Sequence, residues 1–212
     1  MTGPAPAGLD RAAVEECLRL VDLAPADAWD RATPCAGWTL RRLVAHLAAQ
    51  HRGFAAAARG DGADPAHWRE PPPGADVAAA HREAARDVIA AFAVPGVLER
   101  EFTLPEIPRP GPEPARGWPG RVAVGFHLLD HVVHAWDIAA TVGARVDLPE
   151  PVVTAALDVA LRVPSGPGSR GPGAAFAPPV ALDGQVTAFS RMLAALGRDP
   201  RAHPDAEPQM FL

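Results

Sequence analysis

Residues 122–142, VAVGFHLLDHVVHAWDIAATV, form the longest uninterrupted helical segment that this sequence predicts. Apolar side chains lie on nearly every side of this helix, as is typical of a helix at the centre of a bundle. Such a helix is buried only when several amphipathic helices pack around it, so the segment predicts an all-α fold. It also carries three His and two Asp residues, which places the candidate chemistry on the central helix.

Five other segments have the apolar spacing of amphipathic helices. They cover about residues 9–23, 39–60, 75–92, 149–163 and 183–196. At the start of the first helix, Asp10 is placed to accept hydrogen bonds from the first-turn amides. At the end of the last helix, Gly197 supplies the glycine that commonly follows a helix.

Two long connections separate these helices. Residues 98–104, LEREFTL, can form a short strand, and the prolines between positions 105 and 119 forbid a helix there. Residues 164–179 are rich in Gly and Pro and predict a mobile connection or lid. This pattern predicts a four-helix bundle with extra short helices, long Pro/Gly-rich loops and one short β element. We expect residues 1–212 to form a single domain.

The composition excludes several classes of protein. Hydrophobic residues make up 48% of the chain and charged residues 21%, as in ordinary globular proteins. No run of about 18 apolar residues and no signal-peptide pattern occurs, so we expect a cytoplasmic protein without a membrane partner. The formal charge of -5 and the scattered arginines exclude a nucleic-acid partner. Without an export signal, Cys17 and Cys35 are expected to stay reduced.

Four side chains of the central helix could bind a metal ion. At 100° per residue they fall within an arc of about 100° on one helix face. They are His127, Asp130, His131 and His134. Helical bundles bind metals through side chains one turn apart on one helix and a further ligand from another helix, for which His46 is the candidate. Three ligands would leave positions open for substrate. Spacing does not choose among the four, and buried structural histidines or a half-exposed His46 are the alternative interpretation.

Other residues that could do chemistry have simpler explanations. Cys35 lies in a turn with no adjacent base, so we expect a packed small residue rather than a nucleophile. Trp38 and Trp136 are expected to be core aromatics that can also line a pocket. Asp137 could orient a ligand histidine or pair with an arginine. The glycines of residues 168–173 are not followed by the GK[ST] of a phosphate-binding loop, which excludes a nucleotide site there.

Three motifs in combination connect the sequence to a known family. They are TPCAGWTLRRLVAH at 33–46, HAWDIA at 134–139 and LGRDP at 196–200. With them the chain resembles the actinobacterial metal-binding branch of the DinB and mycothiol-dependent maleylpyruvate isomerase superfamily, over nearly its whole length. The resemblance implies a DinB-like four-helix bundle with one metal ion. It assigns the metal ligands to His46, Asp130 and His134.

The resemblance also implies an activity. It predicts a metal-dependent transferase or isomerase for a small-molecule substrate, with zinc, or alternatively nickel, as the ion and mycothiol as a candidate thiol cofactor. The ion would activate the thiol or polarise the substrate. His127 or His131 would then act as acid or base. The alternatives are a thiol-independent metal-dependent lyase, cyclase or hydrolase, and a non-catalytic metal- or ligand-binding protein. The chain is expected to be a monomer or a homodimer.

The sequence departs from the family pattern at two positions. Relatives often carry Glu or His where this chain has Asp130, whose shorter side chain would let His127 or His131 replace or supplement it. Relatives also often carry Asp in place of Arg42, where a carboxylate would favour the helix N-terminus. The isomerase itself has a further C-terminal domain for which this chain has no room, so isomerisation of maleylpyruvate is not implied.

Overall fold

The computed structural model describes residues 5–72, 74–107, 109, 117–166, 170–171 and 174–208. These ranges contain six α-helices: α1 Pro6–Asp22, α2 Leu40–Arg59, α3 Val77–Phe92, α4 Gly120–Val142, α5 Glu150–Ala160 and α6 Ala188–Ala195. Short 3-10 turns occur at Pro65–Trp68, Val97–Glu99, Pro200–Ala202 and Pro204–Ala206. The prediction of an all-α fold is confirmed. No helix in the described ranges is long and apolar enough to cross a membrane.

Helices α1 to α4 form the bundle. Helix α1 packs against α3 and α4, and α2 also packs against α3 and α4, so the four helices close a ring. Helices α5 and α6 pack on each other, and α5 also covers α1 and α4. One apolar core lies mainly among α1, α2, α4, α5 and α6, and a second surrounds Phe54, Phe92 and Phe102. The central helix predicted from its all-round apolar character is α4.

The small sheet is shorter than the predicted strand. Strand β1, Glu101–Phe102, pairs with β2, Trp118–Pro119, in antiparallel register. The preceding residues Val97–Glu99 form a 3-10 turn instead of extending the strand. The sheet therefore only joins the two ends of the Pro-rich loop before α4. Most of that loop, at positions 108 and 110–116, lies outside the described residues.

Helix α2 carries a recognisable start and a close contact with the 3-10 turn after it. The Thr39 hydroxyl accepts a hydrogen bond from the Arg42 amide at 3.4 Å, as an N-cap does. Further along, Gly53 lies against the ring of Trp68, and a Cβ on Gly53 would come within 2.2 Å of that ring. The turn at Pro65–Trp68 can therefore pack directly on the backbone of α2 only because residue 53 is glycine.

Two predicted helix starts are wrong. Helix α1 begins at Pro6 with Ala5 as its N-cap, so Asp10 is not a cap. Proline suits the first helical position, and the helix starts three residues earlier than predicted, at Pro6 instead of about residue 9. Asp10 consequently lies inside the helix, fully buried, and hydrogen-bonds with α4. The last helix begins at Ala188 rather than at residue 183, because the Thr187 side chain caps it by accepting from the amide of Ser190.

The Gly- and Pro-rich connection is partly fixed to its surroundings. Arg170 donates hydrogen bonds to the carbonyl oxygens of Val163, Pro164 and Ala195. Its guanidinium therefore joins the connection to the end of α6. Residues 167–169 and 172–173 lie outside the described residues, so the predicted lid stays a prediction.

Candidate metal centre

Helices α2 and α4 bring His46, Asp130 and His134 together. His134 Nε2 lies 3.3 Å from Asp130 Oδ1, and His46 Nε2 lies 3.8 Å from Asp130 Oδ2. One ligand atom from each residue lies within 4.8 Å of the other two. For bond lengths of about 2.0–2.1 Å, tetrahedral ligands of one zinc ion are about 3.4 Å apart. The three side chains can therefore surround an ion after small rotations.

The donor set also suits a divalent ion chemically. Two imidazoles and one carboxylate are common ligands of zinc. Asp130 Oδ2 is buried and has no hydrogen-bond partner in the described part of the chain, so this oxygen is available to a ligand. Exposure is unequal, because 20% of the His46 side chain and 31% of the Asp130 side chain reach solvent, against 8% for His134. The group is thus open on one side.

The Trp38 ring lies along one side of this group of three residues. The ring of Trp38 lies edge-on to His46, 4.9 Å between centroids, and is stacked on His134 at 6.3 Å. The Arg42 guanidinium lies over the same indole ring, 5.0 Å from its centroid. Arg42 therefore places a positive charge beside the open side of the group. The prediction that Trp38 lines a pocket agrees with this position, whereas Trp136 is a fully buried core residue.

A chain of polar contacts holds His134 from behind. His134 Nδ1 donates to Asp137 Oδ2 at 2.8 Å, and the buried Asp137 carboxylate accepts from Arg198 Nη2 at 2.7 Å. This contact directs His134 Nε2 towards Asp130 and His46, so Nε2 is the nitrogen that would bind an ion after losing its own proton. Asp137 therefore both orients a candidate ligand and pairs with an arginine. Arg198 is the arginine of the LGRDP motif, and its pairing with Asp137 gives that residue of the motif a structural role.

Charges reinforce one another within the group. Burial disfavours the Asp130 carboxylate, but the imidazoles of His134 and His46 outweigh burial and hold the pKa of Asp130 well below its usual value. Burial also disfavours the His134 imidazolium, but Asp130 and Asp137 together raise the pKa of His134 to about 9. Without an ion, His134 is therefore protonated at neutral pH, and a metal must displace that proton.

The other two histidines of the α4 arc belong to a separate group. His127 and His131 are fully buried and lie beside His51 of α2, again with ligand atoms within 4.8 Å of one another. Spacing predicted one arc, but its four residues form two pairs, and the members of each pair are one helical turn apart. His127 and His131 face His51, whereas Asp130 and His134 face His46. An acid or base role for His127 or His131 stays a prediction.

Sequence reasoning missed three residues of this second group. His51 and His81 stack at 5.1 Å between ring centroids, and Asp10 contacts His127. The sequence did contain a usable signal, because α2 carries a second histidine, His51, five residues after His46. On α4 the pair that faces His51 comes before the pair that faces His46, so the two helices run in opposite directions. Cys35, by contrast, is half-buried, and burial raises the pKa of its thiol, in keeping with the expectation that it is not a nucleophile.

The fold and the site together define the class of protein. It is a helical bundle with a candidate metal centre, in which α2 supplies one His and α4 supplies one Asp and one His. Residues 11–139, from α1 into α4, match the family model of the mycothiol maleylpyruvate isomerase N-terminal domain, so the chain belongs to this family. The family predicted from the three motifs is confirmed. Two Mycobacterium tuberculosis proteins, the uncharacterised MT0763 of strain CDC 1551 and Rv0738 of strain H37Rv, are each 33% identical over 176 residues. The match covers 80% of this chain and 84% of each relative.

Solved structures resemble the chain in fold. The crystal structure of the mycothiol-dependent maleylpyruvate isomerase has a TM-score of 0.50 at 17% identity, and that of a histidine-to-alanine mutant has 0.53 at 16%. In both comparisons 73% of this chain and 66% of the isomerase chain are covered. The chain thus spans less than two thirds of the solved isomerase's length, and the likeness shows a shared bundle fold.

Proposed function

We propose that the protein is a metal-dependent enzyme of the mycothiol-dependent isomerase and transferase type, acting on a small molecule. Its ion, zinc, is bound by His46, Asp130 and His134. The observation that carries the proposal is the convergence of these three side chains on the open side of the bundle, with His134 held by Asp137. Three protein ligands leave a coordination position free, as catalytic rather than structural zinc sites do.

A low-molecular-weight thiol is the proposed nucleophile. A zinc ion held by His46, Asp130 and His134 would lower the pKa of a thiol bound to it and so favour the nucleophilic thiolate. The chain's own groups supply the remaining functions. Asp137 and Arg198 fix the direction of His134, and the Trp38 ring shields one side of the site from water. The Arg42 guanidinium, exposed next to Trp38, can pair with a carboxylate of the thiol or of the substrate.

The proposal is tested by metal content. We expect His46→Ala and His134→Ala each to hold one zinc ion fewer per chain than the wild type. His67→Ala is the matched control, because His67 is a partly exposed histidine that pairs with Asp61 away from the candidate centre, and this variant is expected to keep the full zinc content. Equal zinc in all four proteins would contradict the proposed centre.

The thiol is tested separately on the cobalt-substituted protein. Titration with mycothiol is expected to give a saturable change in the cobalt absorption bands, since a thiolate ligand adds an intense charge-transfer band. If mycothiol leaves the spectrum unchanged while the metal is bound, the site uses no thiol. A thiol-independent lyase, cyclase or hydrolase at the same ion is then the better description.

A further inference from the structure

A group of four histidines and one aspartate fills the interior of the bundle below the candidate centre. Its members are Asp10 of α1, His51 of α2, His81 of α3, and His127 and His131 of α4. Every one of them is essentially inaccessible to solvent. The rings lie close together, with centroids 4.0 Å apart for His127 and His131 and 4.4 Å apart for His51 and His131. So many ionisable groups in one dry interior require an explanation beyond packing.

The surroundings of the group are apolar. Phe54 lies edge-on to His127 at 4.9 Å between centroids, and Phe92 does so at 5.3 Å. Burial, followed by repulsion from the neighbouring histidines, lowers the pKa of His51 and of His131 well below the usual value. Burial in these apolar surroundings favours the neutral imidazole, which is the form that binds metal ions.

Hydrogen bonds fix which ring nitrogens are free. His131 Nδ1 donates to the backbone carbonyl of His127 at 2.7 Å, which leaves His131 Nε2 with a lone pair. His127 Nδ1 donates to the Asp10 carboxylate at 2.7 Å, which leaves His127 Nε2 with a lone pair as well. A histidine held by a carboxylate in this way is the usual arrangement of a metal-ligating imidazole.

The third ring completes the set. His51 Nδ1 lies 3.1 Å from His127 Nε2, where it donates a hydrogen bond. Within the described residues, His51 Nε2 and His131 Nε2 have no hydrogen-bond partner although both are buried. Buried polar atoms without partners are unfavourable and uncommon. An ion among the three rings would satisfy His131 Nε2 and would replace the contact between His51 Nδ1 and His127 Nε2, with the His51 proton moving from Nδ1 to Nε2.

We propose that His51, His127 and His131 form a second, interior site for a divalent transition-metal ion, independent of the candidate centre and of the proposed function. Three imidazole nitrogens favour zinc, cobalt, nickel or copper over magnesium and calcium, which prefer oxygen ligands. The Asp10 carboxylate supplies the compensating negative charge through His127. The role of the site is to join α1, α2 and α4.

The two sites are related by the geometry of α2 and α4. On α2 the ligand position moves five residues forward, from His46 to His51, and on α4 it moves three residues back, from Asp130 to His127. These opposite directions are those of antiparallel neighbours. With a rise of 1.5 Å per residue, the second site lies about 4.5–7.5 Å further along the helices. A buried site of this kind is filled most readily as the chain folds.

The test is the zinc stoichiometry of the full chain, refolded from urea with excess zinc and then desalted. We expect two ions per chain in the wild type and one in His51→Phe, which keeps a ring of similar shape but has no ligand atom. His81→Phe is the matched control, because His81 lies in the same interior, stacked on His51, but outside the ligand set. It is expected to keep two ions. The proposal would be overturned if His51→Phe held as many zinc ions per chain as the wild type.

A second measurement does not depend on the folding of His51→Phe. His46→Ala is expected to lose the ion of the candidate centre and to keep one, so X-ray absorption of this variant reports on the interior site alone. We expect a first shell of imidazole nitrogens at about 2.0–2.1 Å. A zinc-free His46→Ala overturns the interior site but not the proposed function. A His46→Ala variant with as much zinc as the wild type contradicts the proposed function instead.

Discussion

Arg198 and Asp137 form a buried, bidentate ion pair across 61 residues of sequence, with Nη2 at 2.7 Å from Oδ2 and Nε at 3.0 Å from Oδ1. The pair joins the segment that follows α6 to the C-terminal part of α4. Because Asp137 also accepts from His134, the ion pair sets the orientation of a proposed metal ligand. The Arg198 side chain is only 11% exposed, so solvent does little to weaken the pair.

We therefore predict that Arg198→Lys weakens zinc binding at the candidate centre by about 10–100-fold, the usual effect of losing a partner behind a ligand. Lysine keeps the charge but cannot make the two parallel hydrogen bonds. Competition with a chelator measures the change. Arg201→Lys is the control, since Arg201 pairs with Asp199 at the surface and has no contact with His134 among the described residues. Equal losses in both variants would contradict a role through Asp137.

Asp130→Asn is predicted to remove the proton from His134 in the metal-free protein at neutral pH. Burial alone would lower the pKa of His134, and the negative charges of Asp130 and Asp137 raise it to about 9. Asparagine removes the charge of Asp130, which raises the pKa of His134 more than Asp137 does, so the pKa should fall and the neutral imidazole should predominate at neutral pH. Imidazole ¹⁵N chemical shifts measured across a pH titration decide this. An unchanged His134 titration would show that Asp137 alone keeps the ring charged.

Acid should destabilise the protein through His81. Burial, together with the nearby charge of Arg82, lowers the pKa of His81 to about 4 from an ordinary value of 6.5. The folded state thus binds fewer protons than the unfolded state, so this stabilisation is complete above pH 6.5 and is lost as the pH falls towards 4. At about 1.4 kcal/mol per pKa unit, the loss amounts to about 3 kcal/mol.

His81→Phe is the variant that measures this effect. Its free energy of unfolding should fall less steeply than that of the wild type between pH 6.5 and 4, by about 3 kcal/mol in total. Urea denaturation at several pH values gives the two slopes. His67→Phe, at a partly exposed position, should retain the wild-type slope. Parallel slopes for His81→Phe and the wild type would mean that His81 is not the group that titrates.

Gly53→Ala is predicted to destabilise the protein by about 1–3 kcal/mol, because the new Cβ would overlap the ring of Trp68 at 2.2 Å. Gly125→Ala provides a matched comparison inside α4, where a Cβ would meet Val159 at an ordinary contact distance of 3.4 Å. That substitution should be neutral or stabilising, since alanine favours a helix over glycine. Thermal unfolding of both variants checks the pair, and similar melting temperatures would contradict the close contact at residue 53.

Local signals in the sequence predicted much of the fold. The all-round apolar character of α4, the cap at Thr39 and the spacing of α2 and α3 each depend on a few neighbouring residues. The errors at Asp10 and at residue 183 also have local causes, a proline and a threonine that start their helices elsewhere. That residues 1–212 form one domain stays a prediction.

The candidate site could be predicted only in part. Spacing showed that four side chains of α4 share one face. Which of them meet His46 and which meet His51 depends on where along α4 the α2 helix crosses that face. That position is set by tertiary packing. The motif resemblance selected His46, Asp130 and His134, whereas the burial of Asp10 and His81 depends on how α1 and α3 pack and left no pattern in the sequence.

The position of Trp38 gives the protein a built-in optical reporter. The chain has no Tyr and five Trp, so its fluorescence comes almost entirely from indole. Only Trp38 among them contacts His46 and His134 in the described ranges. Light emitted by this ring should dim when a paramagnetic ion such as cobalt binds beside it, and should respond again when a ligand arrives. Binding of the ion and of its ligand at the candidate centre could then be followed in real time without any attached dye.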